Sequence, residues 1–148
     1  MNSTLMSPQQ AKSSTTSLWK AGLIASVVAA AANALIYGVG RIAGTIPQSV
    51  EVDALSGNGP VTLATVIVTS VLAVVVATLF YAVLRRITRR PERIFLIAGS
   101  LLLVVSLAMP FSIPDVPMKM AVTLVLMHIT TAIVALGGLV WLAPSQTE

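Results

Sequence analysis

Leu84-Arg85-Arg86-Ile87-Thr88-Arg89-Arg90-Pro91-Glu92-Arg93 is the one strongly charged stretch of this chain, and it carries five of the nine basic residues. A long uncharged apolar run lies on either side of it, Val61 to Leu84 before and Ile94 to Pro114 after. A short arginine-rich loop between two such runs is retained on the cytoplasmic side of a bilayer. Farther out lie two more uncharged runs, Ala21 to Gly40 and Met120 to Ala143. Each run is near the ~20 residues a helix needs to cross the hydrocarbon, and none alternates as a barrel strand does. Lipid offers backbone groups no partners, so each segment must bond itself, which predicts a transmembrane α-helix in every case.

Composition points the same way. Hydrophobic residues make up 56% of the 148 and charged residues 9%, against about 25% charged in a soluble domain. Such a chain cannot cover a water-facing surface. The net charge of +4 is concentrated in the arginine loop, where topology accounts for it, so no nucleic-acid partner is expected. The chain has no cysteine, which removes disulfides, thiolate metal sites and thiol redox chemistry. No metal and no cofactor is expected.

The expected architecture is a single all-α, four-helix transmembrane bundle with both termini in the cytoplasm. Its helices should run over about residues 18–44, 60–88, 91–110 and 117–142. Residues 1–17 read as a disordered polar cytoplasmic tail and 144–148 as a short cytoplasmic one. Trp19, Lys20 and Trp141 suit anchors at the inner interface. A cleaved signal peptide competes for the first segment, but the apolar run outlasts the ~7–15 residues of such a core. Pro91 and Glu92 fit the first turn of the third helix. The connection over 45–60 contains Pro47, Gly57, Asn58, Gly59 and Pro60 and reads as irregular, with Glu51 or Asp53 offsetting Arg41. Pro110, Pro114 and Pro117 mark an outer turn with Asp115.

Helix 1 carries Gly22, Ser26, Ala30, Ala34 and Gly38 at four-residue spacing. Such a ridge lets backbones approach closely, which favours van der Waals packing in lipid. Packing within the bundle and a homodimer seam both fit it. On helix 2, Thr65, Thr69, Ala73 and Ala77 form the ridge expected to face other helices. Arg85, Arg86, Arg89, Arg90 and Arg93 orient the protein and could hold anionic lipid headgroups, each worth on the order of 1 kcal/mol.

A polar layer lies inside the apolar segments. Asn33, Tyr37, Arg41 and Gly44 line one face of helix 1. His128, the only histidine, lies about 13 Å from the outer end of helix 4 at ~1.5 Å per residue. It shares a face with Ala121, Thr131 and Ala135, and Thr69 reaches a similar depth. An intramembrane ionisable group is a functional hypothesis by default. Against it stands a neutral imidazole bonded to Asn33 or Thr69, locking helix register at about 0.6–2 kcal/mol per bond. No helix core carries a carboxylate.

Asn33-Ala34-Leu35-Ile36-Tyr37-Gly38-Val39-Gly40-Arg41-Ile42-Ala43-Gly44, the arginine turn, Ser106-Leu107-Ala108-Met109-Pro110 and Met127-His128-Ile129-Thr130-Thr131-Ala132 follow one another in an order that resembles the uncharacterised-domain family 6069. The likeness covers about residues 17–141. It implies a small four-helix protein of a bacterial plasma membrane, with Asn33, Tyr37, Arg41 and His128 at the family's polar positions and no activity to carry over. The expected function is therefore a non-catalytic accessory or partner-binding protein, its partners being membrane lipids and a second copy or another membrane protein. The alternative is binding or transport of a small solute or lipid in an outer-half cavity formed by Asn33, Tyr37, Arg41, Thr69, His128 and Thr131. An enzyme using His128 as a base comes third.

Overall fold

The computed structural model describes residues 8–47, 51–53, 58–113 and 116–143. Four helices dominate: α1 (Pro8–Ile42), α2 (Leu63–Ile87), α3 (Pro91–Ala108, continued by a 3-10 turn, Met109–Phe111) and α4 (Met118–Leu142). Each contains a span long and apolar enough to cross a membrane: Ser17–Ile42, Leu63–Ile87, Pro91–Phe111 and Met118–Leu142. The expected all-α transmembrane bundle is what the chain forms.

Two expectations about the connections are corrected. The polar tail read over residues 1–17 is helical from Pro8, where α1 begins. The connection over 45–60 is not wholly irregular, because β1 (Glu51–Asp53) and β2 (Asn58–Pro60) pair as an antiparallel hairpin. α2 stops at Ile87, within a residue of the expected end. Thr88 there takes an extended conformation with its N–H on Leu84 O, Arg90 caps α3, and Pro91 follows at the first helical position as expected. Asp115 and the tail over 144–148 lie outside the described residues.

The helices run up and down. One core cluster joins Leu18 and Ala21 of α1 to Tyr81, Leu84, Phe95 and Leu139, tying the beginnings of α1 and α3 to the ends of α2 and α4. At the opposite end Ile46, Val66, Met120 and Met127 come together with Ile36 and Tyr37. Between them Ala25, Ala29, Val74 and Ala135 form a thin middle layer. α1 packs against α2 and α4, while α3 packs against α2 and α4 on the other side of the shared core. The first of these clusters lies at the arginine-turn end of the bundle and the second at the hairpin end.

Gly44 is what lets the hairpin end close. Its φ of +68° is a left-handed conformation that glycine adopts without a Cβ penalty, and it stops α1 in a turn with Thr45 N–H on Gly40 O. The reversal drives Ile46, 1% exposed, back onto Met120 and Met127.

The small-residue ridge of α1 is used within the bundle over its first half. Gly22 and Ser26 are buried, whereas Ala30, Ala34 and Gly38 are half-buried. A Cβ at Gly22 would lie 2.7 Å from Thr78 Oγ1, so α1 and α2 touch almost backbone to side chain at this level. On α2 the buried stripe is Val66, Ser70, Val74, Thr78 and Tyr81. The ridge Thr65, Thr69, Ala73 and Ala77 is half-buried or exposed, so the inward face is set one residue along from the expected one.

Candidate functional site

The polar interior is built around Asn33. This side chain is 3% exposed, and its Nδ2 donates to Ser70 Oγ at 2.8 Å and to Thr131 Oγ1 at 2.7 Å. Both hydroxyls pass their own protons back along their helices, Ser70 to Val66 O at 2.6 Å and Thr131 to Met127 O at 2.9 Å. Their lone pairs are then the only feature left to the amide, which fixes the amide orientation. One α1 residue thus clamps α2 and α4 at a single level. Its Oδ1 is buried and has no hydrogen-bond partner among the described residues.

Farther along the same face of α1, Tyr37 Oη donates to Val61 O at 3.2 Å, and Arg41 Nη1 donates to Ile46 O at 2.9 Å. Asn33, Tyr37 and Arg41 therefore form a ladder in which each rung holds a different piece of the fold: helix pair, entry to α2, and turn. Thr123 of α4 joins it by donating to Thr45 Oγ1 at 3.1 Å. The acid side chains expected beside Arg41, those of Glu51 and Asp53, lie outside the described side chains.

His128 and Thr69 are not part of the clamp, contrary to the expected bonding. His128 is half-buried, and its Nδ1 lies 2.8 Å from Leu124 O. A carbonyl only accepts, so Nδ1 carries the proton and, in the neutral ring, Nε2 offers a lone pair. Thr69 donates to Thr65 O at 2.8 Å on its own helix, a bond that threonine in a membrane helix makes without any outside partner. Ser70 is the clamp residue that sequence reasoning missed. Thr69→Val is therefore expected to change stability by less than about 0.5 kcal/mol, while Ser70→Ala should cost about 1 kcal/mol by removing an acceptor of Asn33. Denaturant titration in mixed micelles distinguishes them, and equal losses would refute this assignment.

At the other end Arg85 stacks over the Tyr81 ring, 5.9 Å from its centroid, and Tyr81 packs on Phe95 with ring centroids 4.7 Å apart. Arg86, Arg89, Arg90 and Arg93 are exposed. Among the described residues, no three His, Cys, Asp or Glu side chains gather as a metal would require.

A hydrogen-bonded polar core inside four apolar spans defines an α-helical multi-span membrane protein. The chain belongs to the family of unknown function DUF6069, whose model matches residues 13–143. No curated protein and no solved structure matches it.

Proposed function

We propose that this chain is a non-catalytic accessory protein that binds another membrane protein, with its termini and arginine turn in the cytoplasm. The observation that carries this reading is the use of the interior polar groups. Asn33 Nδ2, Tyr37, Arg41 and Thr131 hold helices and turns to one another, which is what a rigid scaffold needs. The five arginines of the α2–α3 turn support the orientation and a contact with anionic headgroups. The partner surface on this reading is the outer half of the α1 ridge, where Ala34 and Gly38 are half-buried between the exposed Leu35 and Val39. Small residues there allow a partner helix to approach closely.

Gly38→Leu tests this, because nothing lies within 4 Å of a Cβ placed at Gly38 and the fold should survive. In polymer discs cut from native membranes, the unsubstituted chain is expected to retain one second membrane protein at fixed ratio. Gly38→Leu should release at least about nine-tenths of it, which from a nearly saturated complex takes a weakening of about a hundredfold, or about 2.7 kcal/mol. Recovery of the chain alone in such discs, or retention unchanged by the substitution, would overturn the reading.

A second reading rests on the unpartnered Asn33 Oδ1. A buried acceptor of this kind costs about 1–3 kcal/mol unless something donates to it, and a small solute carrying an N–H or O–H group would do so. In that case Asn33, Tyr37, Arg41, Thr69, His128 and Thr131 would surround a path from the hairpin end, and Arg41→Ala should reduce uptake.

A further inference from the structure

At the arginine-turn end a groove of about 410 Å³ opens between α1 and α4. Ile24 and Val28 form one wall and Ile133, Gly137, Trp141 and Leu142 the other. Its volume is that of a small-molecule site, which typically has about 300–1,000 Å³, but its lining is apolar throughout. Gly137 leaves the α4 wall without a side chain, and nothing stands within 4 Å of where its Cβ would be.

Two features identify the occupant. The first is length. From Ile133 to Leu142 the groove follows α4 for about 14 Å at ~1.5 Å per residue, close to half of the ~30 Å hydrocarbon core. It runs about the depth of one leaflet, which is the reach of a single acyl chain. The second is charge. Lys20 lies one turn before Ile24 on the stripe Lys20, Ile24 and Val28, is exposed, and stands at the end where Trp141 lies 88% exposed. An open apolar groove of leaflet depth therefore ends at a cation and an interfacial indole.

We propose that this groove holds an acyl chain of an anionic phospholipid of the leaflet on the arginine-turn side, with the lipid phosphate against the Lys20 ammonium. The groove is lined by α1 and α4 alone, whereas the arginines lie on α2, α3 and the turn between them. The indole of Trp141 covers the glycerol region, and Gly137 leaves room for the methylenes.

Trp19 and Trp141 are the only tryptophans, so a Trp19→Phe background leaves Trp141 as the single reporter at the groove mouth. The protein is placed in nanodiscs of phosphatidylcholine containing a small fraction of either phosphatidylglycerol or further phosphatidylcholine brominated near the carboxyl end of the chain. Bromine quenches indole fluorescence on contact. At equal mole fraction the phosphatidylglycerol is expected to occupy the quenching site about fivefold more favourably, the ratio that one lysine near an anionic headgroup supplies. Lys20→Gln should bring the two lipids to parity with every arginine intact, and Gly137→Leu should fill the groove and remove the excess quenching. Equal quenching by the two lipids before any substitution, or an excess that survives both changes, would mean that lipid only bathes this face. Conversion of two copies per disc to one by Gly137→Leu, with lipid preference unchanged, would give the groove to a second copy and also overturn the proposal.

Discussion

Asn33→Asp is expected to lower the stability of the membrane-embedded protein by about 3 kcal/mol, and Asn33→Ala by about 1–2 kcal/mol. The aspartate keeps the shape of the amide but removes both donors and places a carboxyl group where the residue is 3% exposed. Insertion scales put a central acid at about 2.5–3.5 kcal/mol. In the alanine variant two interhelical bonds are lost, each worth on average about 0.6 kcal/mol and at most about 1.7. A small void adds to the loss, and disappearance of the unpartnered Oδ1 offsets part of it. Steric trapping in bicelles measures both variants on one scale. An Asn33→Ala protein as stable as the original would mean that the amide is not the clamp and is retained for a ligand. A solute that donates to Oδ1 would then stabilise the original and not the variant, by an amount rising with its concentration over Kd.

The parts of this protein that follow from hydropathy were legible, and those that follow from helix rotation were not. Four uncharged runs around an arginine loop give the number of helices, their order and their up-and-down arrangement, because lipid leaves the backbone one solution. Which face of each helix turns inward is a different question. In water the apolar stripe answers it, but in lipid the outward face is as apolar as the inward one. On α2 the ridges Thr65, Thr69, Ala73 and Val66, Ser70, Val74 differ by one residue, and hydropathy ranks neither first. The second is buried, because Ser70 meets Asn33 and Thr78 fits beside Gly22, both of them contacts between helices. The clamp was half visible for the same reason. Asn33 and Thr131 were legible only as members of polar faces on their own helices, while His128, the most conspicuous by chemistry, bonds its own helix. The hairpin of Glu51–Asp53 with Asn58–Pro60 was missed because strands of three residues leave no periodicity to read.

Gly22→Ala should cost about 1–3 kcal/mol, and Thr78→Ala on the same chain should recover most of it. The added methyl would stand 2.7 Å from Thr78 Oγ1 and 2.8 Å from Thr78 Cγ2. Neither atom can swing aside: threonine is stiff at χ1, and Oγ1 is held by its 2.7 Å bond to Val74 O. The helices would have to separate at the level where α1 and α2 share a core, and overpacking of this kind costs about 1–3 kcal/mol. Thr78→Ala removes both clashing atoms and leaves the Thr78 Cβ position, 3.3 Å away, as the nearest neighbour. Gly99→Ala provides the contrast. Its methyl would collide with the side-chain end of Leu136, which is half-buried and has other rotamers open to it, so the expected loss is under about 1 kcal/mol. A double-mutant cycle between positions 22 and 78 should therefore give a coupling within the ~0.5–3 kcal/mol range of residues in contact. Additive losses at the two positions would show that α1 and α2 do not meet here, and the rotational setting that places Ser70 against Asn33 would fall with that contact.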